Sequence, residues 1–403
     1  MSGPVGVDEV RAAQDVLRDV TVTTPILESR SLSAKVGGPV LLKAENLQRA
    51  GSFKARGAYV RIARLSAEER ARGVVAASAG NHAQGVALAA TLLGCRSVVF
   101  MPEGAPLPKV AATRAYGAEV VFGGPGVDAC LAAATAYARE NGAVFIHPFD
   151  HPDVVAGQGT VGLEILEQYP DVRTIVVPVG GGGLVAGIAA AVKEPRPDVR
   201  VVGAQAERAA AFPPSLAAGR PVSVAPSATM ADGIAVGRPG DLTFELVSKL
   251  VDSVVTVSEE TISRALLNCL ERSKQVVEPA GAVGVAALLD RPHMFEPPVV
   301  TVLSGGNIDP LLLSKVLRHG LAVAGRYLMF RVRLPDRPGA LVTLLGELAE
   351  LGVNVLDVVH QRTAARLNVD EVEVSLHLET RGPDHCDEVL GRLRAEGYTL
   401  SFG

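Results

Sequence analysis

Short runs of β-branched and apolar residues recur at positions 74–77, 97–101, 119–122, 143–147, 174–179, 199–204 and 299–303, separated by alanine-rich stretches with helical spacing of apolar positions. Strands that are apolar throughout need helices on both faces, so this alternation predicts an α/β fold on a mainly parallel sheet. Ligands of such sheets bind beyond the carboxyl ends of strands, so the residues just after each run are the ones to inspect for chemistry. Past residues 319–327 the pattern changes. Positions 328–334 read as a strand, 336–339 (Asp-Arg-Pro-Gly) as a turn, 340–351 as a helix, 353–360 and 371–378 as strands, 384–396 as a helix, and a last strand starts at 398. This βαββαβ order predicts a separate small α+β unit. The expected organisation is one domain over residues 1–322, with a smaller subdomain at about 50–150, and a second over 327–403.

Composition narrows the class. The 403 residues exceed what one core normally serves, and 48% hydrophobic residues are ample for burial. With 43 acidic against 39 basic residues, the net charge of −4 offers no attraction to nucleic acid or anionic membranes. Apolar runs such as 184–192 stop short of the roughly 20 residues that span a bilayer. Residues 1–10 lack a basic cluster followed by an apolar stretch, so a cytoplasmic protein with no membrane partner is expected. Cys95, Cys130, Cys269 and Cys386 lie far apart without a CxxC pair, and free thiols are expected in place of disulfides or a zinc site.

The segment Gly180-Gly181-Gly182-Gly183-Leu184 follows the 174–179 run and opens a helix. Without Cβ atoms, successive N–H groups can approach an anion, and the helix start adds a favourable dipole, so the segment reads as a phosphate site. A bare strand-to-helix turn is the structural alternative. Gly181-x-Gly183-x-x-Ala186, with Glu207 further on, also fits a dinucleotide fingerprint. Its place about 180 residues into the chain, with no earlier βαβ fingerprint, argues against that reading.

Four further segments bear on the choice: 45–58 (ENLQRAGSFKARGA), 77–87 (ASAGNHAQGVA), Glu278-Pro279-Ala280-Gly281-Ala282 and Ser304-Gly305-Gly306-Asn307. With the glycine loop they make five ordered motifs that resemble the signatures of fold-type II (tryptophan synthase β-like) pyridoxal phosphate (PLP) enzymes, and specifically of threonine ammonia-lyases. A lone lysine is ordinarily a solvated charge. The resemblance instead implies that Lys54 carries the cofactor and, once freed, takes the substrate Cα proton. It implies that Phe53 packs on the cofactor ring, that Asn81 hydrogen-bonds the ring hydroxyl, and that Gly180, Gly181, Gly182, Gly183 and Leu184 hold the 5′-phosphate. Ser78, Asn81 and His82 would present donors to the substrate carboxylate at a helix start; His82 has the alternative reading of a satisfied loop histidine. Ser304 matches the residue facing the pyridine nitrogen, where many PLP enzymes place a carboxylate. A neutral hydroxyl makes a weaker electron sink, which suits β-elimination over transamination.

Two departures from the related serine racemases bear on the reaction. Their second serine, beside the one matching Ser78, is here Ala79. With no hydroxyl for the second face of the substrate carbon, elimination is expected over racemisation. Their divalent-cation carboxylates correspond to Gln205 and Ala211, so no divalent metal is expected. The segment 231–236 (ADGIAV) and the C-terminal unit resemble threonine enzymes, implying L-threonine as substrate, L-serine as a second one, and 2-oxobutanoate and ammonia as products. Within the family the alternatives are a serine dehydratase, a serine racemase-like enzyme or a β-replacing synthase. A nicotinamide-dependent dehydrogenase would leave Lys54 and Ser304 idle, and a non-catalytic amino-acid sensor would leave the cofactor motifs idle. Residues 334–362 resemble ACT domains, which are ferredoxin-like. Gly339 would let a ligand carboxylate approach the helix-start amides and Asn354 would meet its polar end, with isoleucine or valine as effector. The competing reading is an ordinary turn beside a dimerising sheet edge. Such effectors bind where two copies meet, so a homotetramer is expected.

Overall fold

The computed structural model describes residues 5–225, 227–362 and 367–402. The chain divides into two compact units, Met1–Pro310 and Leu311–Gly403, and the helix Pro310–Val323 falls almost wholly in the second.

Two sheets build the first unit. In one, the strands run in the order Ile26–Glu28, Val40–Lys43, Val299–Val302, Thr174–Pro178, Arg200–Ala206, Ser253–Val257, and only the first pair is antiparallel. The other is parallel throughout, in the order Glu119–Phe122, Ser97–Met101, Val74–Ala77, Val144–Phe145. Each apolar run is a strand. Three strands escaped the pattern for physical reasons: Ile26–Glu28 is a short antiparallel edge, Val40–Lys43 ends in a buried charge, and Ser253–Val257 is a half-buried edge with two hydroxyl residues.

Helices meet beneath the site at unusually close range. Gly183–Val192 lies against Pro152–Gln168, where a Cβ on Gly187 would be 2.7 Å from the Gly159 nitrogen. Lys54–Ala63 crosses the same helix where a Cβ on Gly157 would be 2.6 Å from the Gly57 Cα. Backbone-to-backbone packing of this kind lets three helices share one core with Val155, Val161, Ile165, Val185 and Ile188.

The second unit follows the βαββαβ order. Its antiparallel sheet runs Asn354–Gln361, Glu371–Glu379, Tyr327–Pro335, Leu400–Ser401, with helices Ala340–Glu350 and Pro383–Ala395. Leu328, Phe330, Val332 and Leu334 are buried while the residues between them face outward, so one apolar face packs on Leu344, Leu348, Val389 and Leu393.

Candidate active site

Lys54 begins the helix Lys54–Ala63, capped by half-buried Phe53. The loop before it is stitched to residues 304–306: Ser52 and Gly305 form a β-bridge, the Phe53 amide donates to the Ser304 carbonyl (3.2 Å), and the Gly306 amide donates to the Gly51 carbonyl (2.9 Å). Lys54 Nζ donates to the Pro148 carbonyl at 2.8 Å and lies 5.2 Å from the Phe53 ring centroid. Burial pushes the Lys54 amine down to about 8, with the Glu278 carboxylate pulling the other way.

Phe149, next to Pro148, walls the glycine loop. A Cβ on Gly181 would sit 2.5 Å from its ring carbons, and one on Gly183 would be 3.0 Å from its Cβ. Gly182 caps the helix Gly183–Val192 at φ +100°, a left-handed conformation natural to glycine. The loop is fixed from outside by Thr243, whose hydroxyl donates to the Gly181 carbonyl at 2.6 Å. Asp150 in turn accepts from the amides of Asp241 (3.0 Å) and Thr243 (3.1 Å) at the start of the helix Asp241–Leu250. Within the described residues, the amides of Gly180, Gly181 and Gly182 donate to no backbone carbonyl.

Ser78 follows the strand Val74–Ala77, its Oγ accepting from the Gly80 amide at 3.2 Å, and Gly80 caps the helix Asn81–Leu92. Gly85 lets that helix approach Lys54, since a Cβ there would be 3.1 Å from the Lys54 carbonyl carbon. Asn81 Nδ2 donates to Glu278 Oε1 at 2.5 Å. His82 belongs to the helix and not to a loop: it is buried, and its Nε2 meets the Ile146 carbonyl at 2.8 Å. Burial, together with the Lys54 charge, lowers its pKa to about 3, so the ring is neutral and Nε2 carries the donated hydrogen. Burial and the nearby Asp232 raise the Glu278 carboxyl to about 7.

Beneath Lys54 lies a buried charge network. Arg56 donates to both oxygens of Glu45 (2.8 Å each), to Glu164 (2.6 Å) and to Thr160 (3.1 Å). Lys43 donates to Glu164 (2.6 Å), Gln168 (2.9 Å) and the Thr24 carbonyl (2.7 Å). Two cations face two carboxylates, so no net charge is buried. Burial alone would raise the Glu45 carboxyl, yet the Arg56 guanidinium outweighs it and holds Glu45 below the usual carboxylate range.

Several of these partners carry no local signal. Pro148, Phe149 and Asp150 lie outside every motif, although His147-Pro148-Phe149-Asp150 directly follows an apolar run. Lys109 pairs with Asp232 at 2.8 Å, a contact between segments far apart in sequence. Gln205 accepts from the Phe212 amide (3.1 Å) and donates to the Val179 carbonyl (3.3 Å). Among the described residues no group of three or more His, Cys, Asp or Glu could hold a metal ion, and no helix is long and apolar enough to cross a membrane. In the second unit, Gly339 at φ +93° caps the helix Ala340–Glu350 with open space around it, and exposed Asn354 donates to Glu379 at 3.1 Å.

Residues 17–305 match the model of the pyridoxal-phosphate dependent enzymes and residues 329–395 that of the ACT domain. The chain therefore belongs to the pyridoxal-phosphate dependent enzyme family, carries a C-terminal ACT domain, and uses PLP as its cofactor. More particularly, it is 49% identical to an L-threonine ammonia-lyase of Thermotoga maritima over 98% of this chain and 99% of that one. It is likewise 49% identical to an L-threonine ammonia-lyase of Geobacter sulfurreducens, over 97% and 98%. Among solved structures, a threonine deaminase of tomato, Solanum lycopersicum, aligns with a TM-score of 0.73 at 37% identity (79% of this chain, 95% of that one). A maize serine racemase aligns with a TM-score of 0.74 at 36% identity (80% and 99%).

The residues present fit PLP. An amine lowered to about 8, three amides that among the described residues lack backbone carbonyl partners beside a helix start, and a buried serine at 304 match the aldehyde, phosphate and ring of that cofactor in kind.

Proposed function

We propose that this protein is an L-threonine ammonia-lyase that converts L-threonine to 2-oxobutanoate and ammonia and also accepts L-serine. The observation that carries the reading is the Lys54 amine, lowered to about 8 and bonded to Pro148, whose neighbour Phe149 walls the glycine loop. When bound, PLP supplies the electron sink for the bonding pair left at Cα.

The chain's own residues do the rest. Lys54 Nζ takes the Cα proton, a task suited to a base poised near neutral pH. The amides opening the helix Asn81–Leu92, with the Ser78 hydroxyl, bind the substrate carboxylate. Gly180 to Leu184 hold the phosphate, Phe53 packs on the ring, Asn81 meets the ring oxygen and Ser304 the ring nitrogen. Neutral His82 orients and does not titrate. Loss of water from threonine and hydrolysis of the released enamine give 2-oxobutanoate and ammonia, with water lost and regained in balance. At the second face, Ala79 has no proton to return, which favours elimination. In the ACT domain, the amides after Gly339 and the Asn354 side chain bind isoleucine or valine, within a cytoplasmic homotetramer.

The test is the visible spectrum before and after borohydride, with peptide mapping and an assay for 2-oxobutanoate. A coloured protein that bleaches, an adduct on the Lys54 peptide and keto acid from L-threonine are expected. An adduct elsewhere, or no keto acid, would overturn the reading.

A further inference from the structure

A chain of side-chain amides in the site ends on a buried carboxyl. Asn307 Nδ2 donates to the Ala50 carbonyl (2.7 Å) and to Asn81 Oδ1 (2.9 Å), with Gln84 Oε1 at 3.3 Å; Asn81 Nδ2 then donates to Glu278 Oε1 at 2.5 Å. A backbone carbonyl can only accept, so the nitrogen end of Asn307 must face Ala50. Asn307 then offers a hydrogen to Asn81, which must answer with its oxygen and send its nitrogen to Glu278. Reversing Asn81 would set its oxygen against the carboxyl oxygen and its nitrogen against a second donor. Gly305 leaves room for the contact, since a Cβ there would be 3.0 Å from Asn81 Nδ2.

We propose that Asn307 and Glu278 are positioning residues that fix which end of the Asn81 amide faces the PLP ring. One Asn81 hydrogen is used on Glu278 and the other is left for an acceptor on the cofactor. The proposal rests on the reading that Asn81 meets the ring oxygen. The charged groups around Glu278 are Asp232, Lys109 and Lys54; burial and Asp232 raise its carboxyl to about 7. An oxygen that accepts from Asn81 is present in both protonation states, so the orientation holds across neutral pH.

PLP binding to apoprotein, followed by fluorescence titration, and melting temperature test the chain together. Asn307→Asp places an acceptor where the donor stood and should turn Asn81 over, weakening PLP binding about tenfold or more and lowering the melting temperature. Adding Glu278→Gln gives the inverted amide a donor, so the double variant should recover most of the melting temperature while PLP binding stays weak. Glu278→Gln alone can meet Asn81 with either end of its amide while Asn307 still donates to Asn81 Oδ1, so it should weaken PLP binding less than Asn307→Asp does. Restored PLP affinity in the double variant, or unchanged affinity in Asn307→Asp, would overturn the proposal. Should Asn307→Asp fail to fold, Asn307→Ala removes the same donor from Asn81 Oδ1 and should also weaken PLP binding, and parental affinity there would overturn the proposal. Asn81→Ala separates the two layers. Normal PLP binding there would remove the contact to the ring, whereas weak binding there with normal binding in Asn307→Asp would remove only the positioning chain.

Discussion

Lys54 Nζ donates at 2.8 Å to the carbonyl of Pro148, a residue 94 positions away. A carbonyl accepts a hydrogen bond without contributing a negative charge, so burial dominates and the amine falls to about 8. Only the neutral amine attacks an aldehyde. PLP capture by apoprotein should therefore rise with pH and reach half its maximal rate near 8. A midpoint near the roughly 10.4 of a solvated lysine would contradict this environment. Lys54→Ala should stay folded and colourless, with lyase activity reduced by at least the roughly 10²–10⁴ that a positioned base contributes.

Arg56 sits two residues further along the same helix and holds Glu45 and Glu164 in the interior. Arg56→Ala would leave two buried carboxylates short of their partner and should cost about 3–5 kcal/mol in denaturant unfolding. Lysine at this position cannot reproduce the paired bonds to Glu45 and should recover only part of the loss. Arg56→Ala unfolding at the parental denaturant concentration would show that the network contributes little.

Gly181 is tight because of Phe149 and not because of its backbone, whose φ is ordinary. Gly181→Ala forces a shift that overpacking makes worth about 1–3 kcal/mol, enough for roughly tenfold weaker PLP binding. Phe149→Leu in the same chain should return part of the affinity by making room. Equal affinity in the single variant and the parent would place the loop away from the phosphate.

Ala79 precedes Gly80 in the turn that leads into the helix Asn81–Leu92. If Ala79 faces the second side of the substrate carbon as proposed, Ala79→Ser supplies a hydroxyl there and should produce D-serine from L-serine, detectable by chiral chromatography. A variant that forms none at any pH would show that the missing hydroxyl is not what limits racemisation.

Isoleucine or valine bound at the ACT domain should alter threonine saturation, and threonine must alter effector affinity by the same factor. Calorimetric titration of the full chain with each amino acid, with and without a non-reacting threonine analogue, measures both directions. No heat and no kinetic change with isoleucine, valine or leucine would leave the domain with another ligand.

The strand runs, the glycine loop, the lysine between Phe53 and Arg56 and the C-terminal βαββαβ order are all legible in the chain, because each is a local pattern. Apolar periodicity reports burial, and a glycine run reports where side chains must be absent, whatever the rest of the fold does. Less legible are short edge strands such as Ile26–Glu28, whose pairing depends on Val40–Lys43 and not on their own composition. The environment of His82 was open for a similar reason: its Nε2 partner, Ile146, is 64 residues away.

Residue identity and spacing thus determined the family resemblance, the cofactor and the motifs around it. Tertiary structure decided the partners: Pro148 for Lys54, Glu164 for Arg56 at a separation of 108 residues, and Glu278 for Asn81 at a separation of 197. Any of the 43 acidic residues could have matched Arg56 in charge. Charge and hydrogen bonding act over a few ångströms, and the close approach of two helices at Gly57 and Gly157 is what brings Arg56 within that range of Glu164, while Gly305 leaves room for the contact between Asn81 and Glu278.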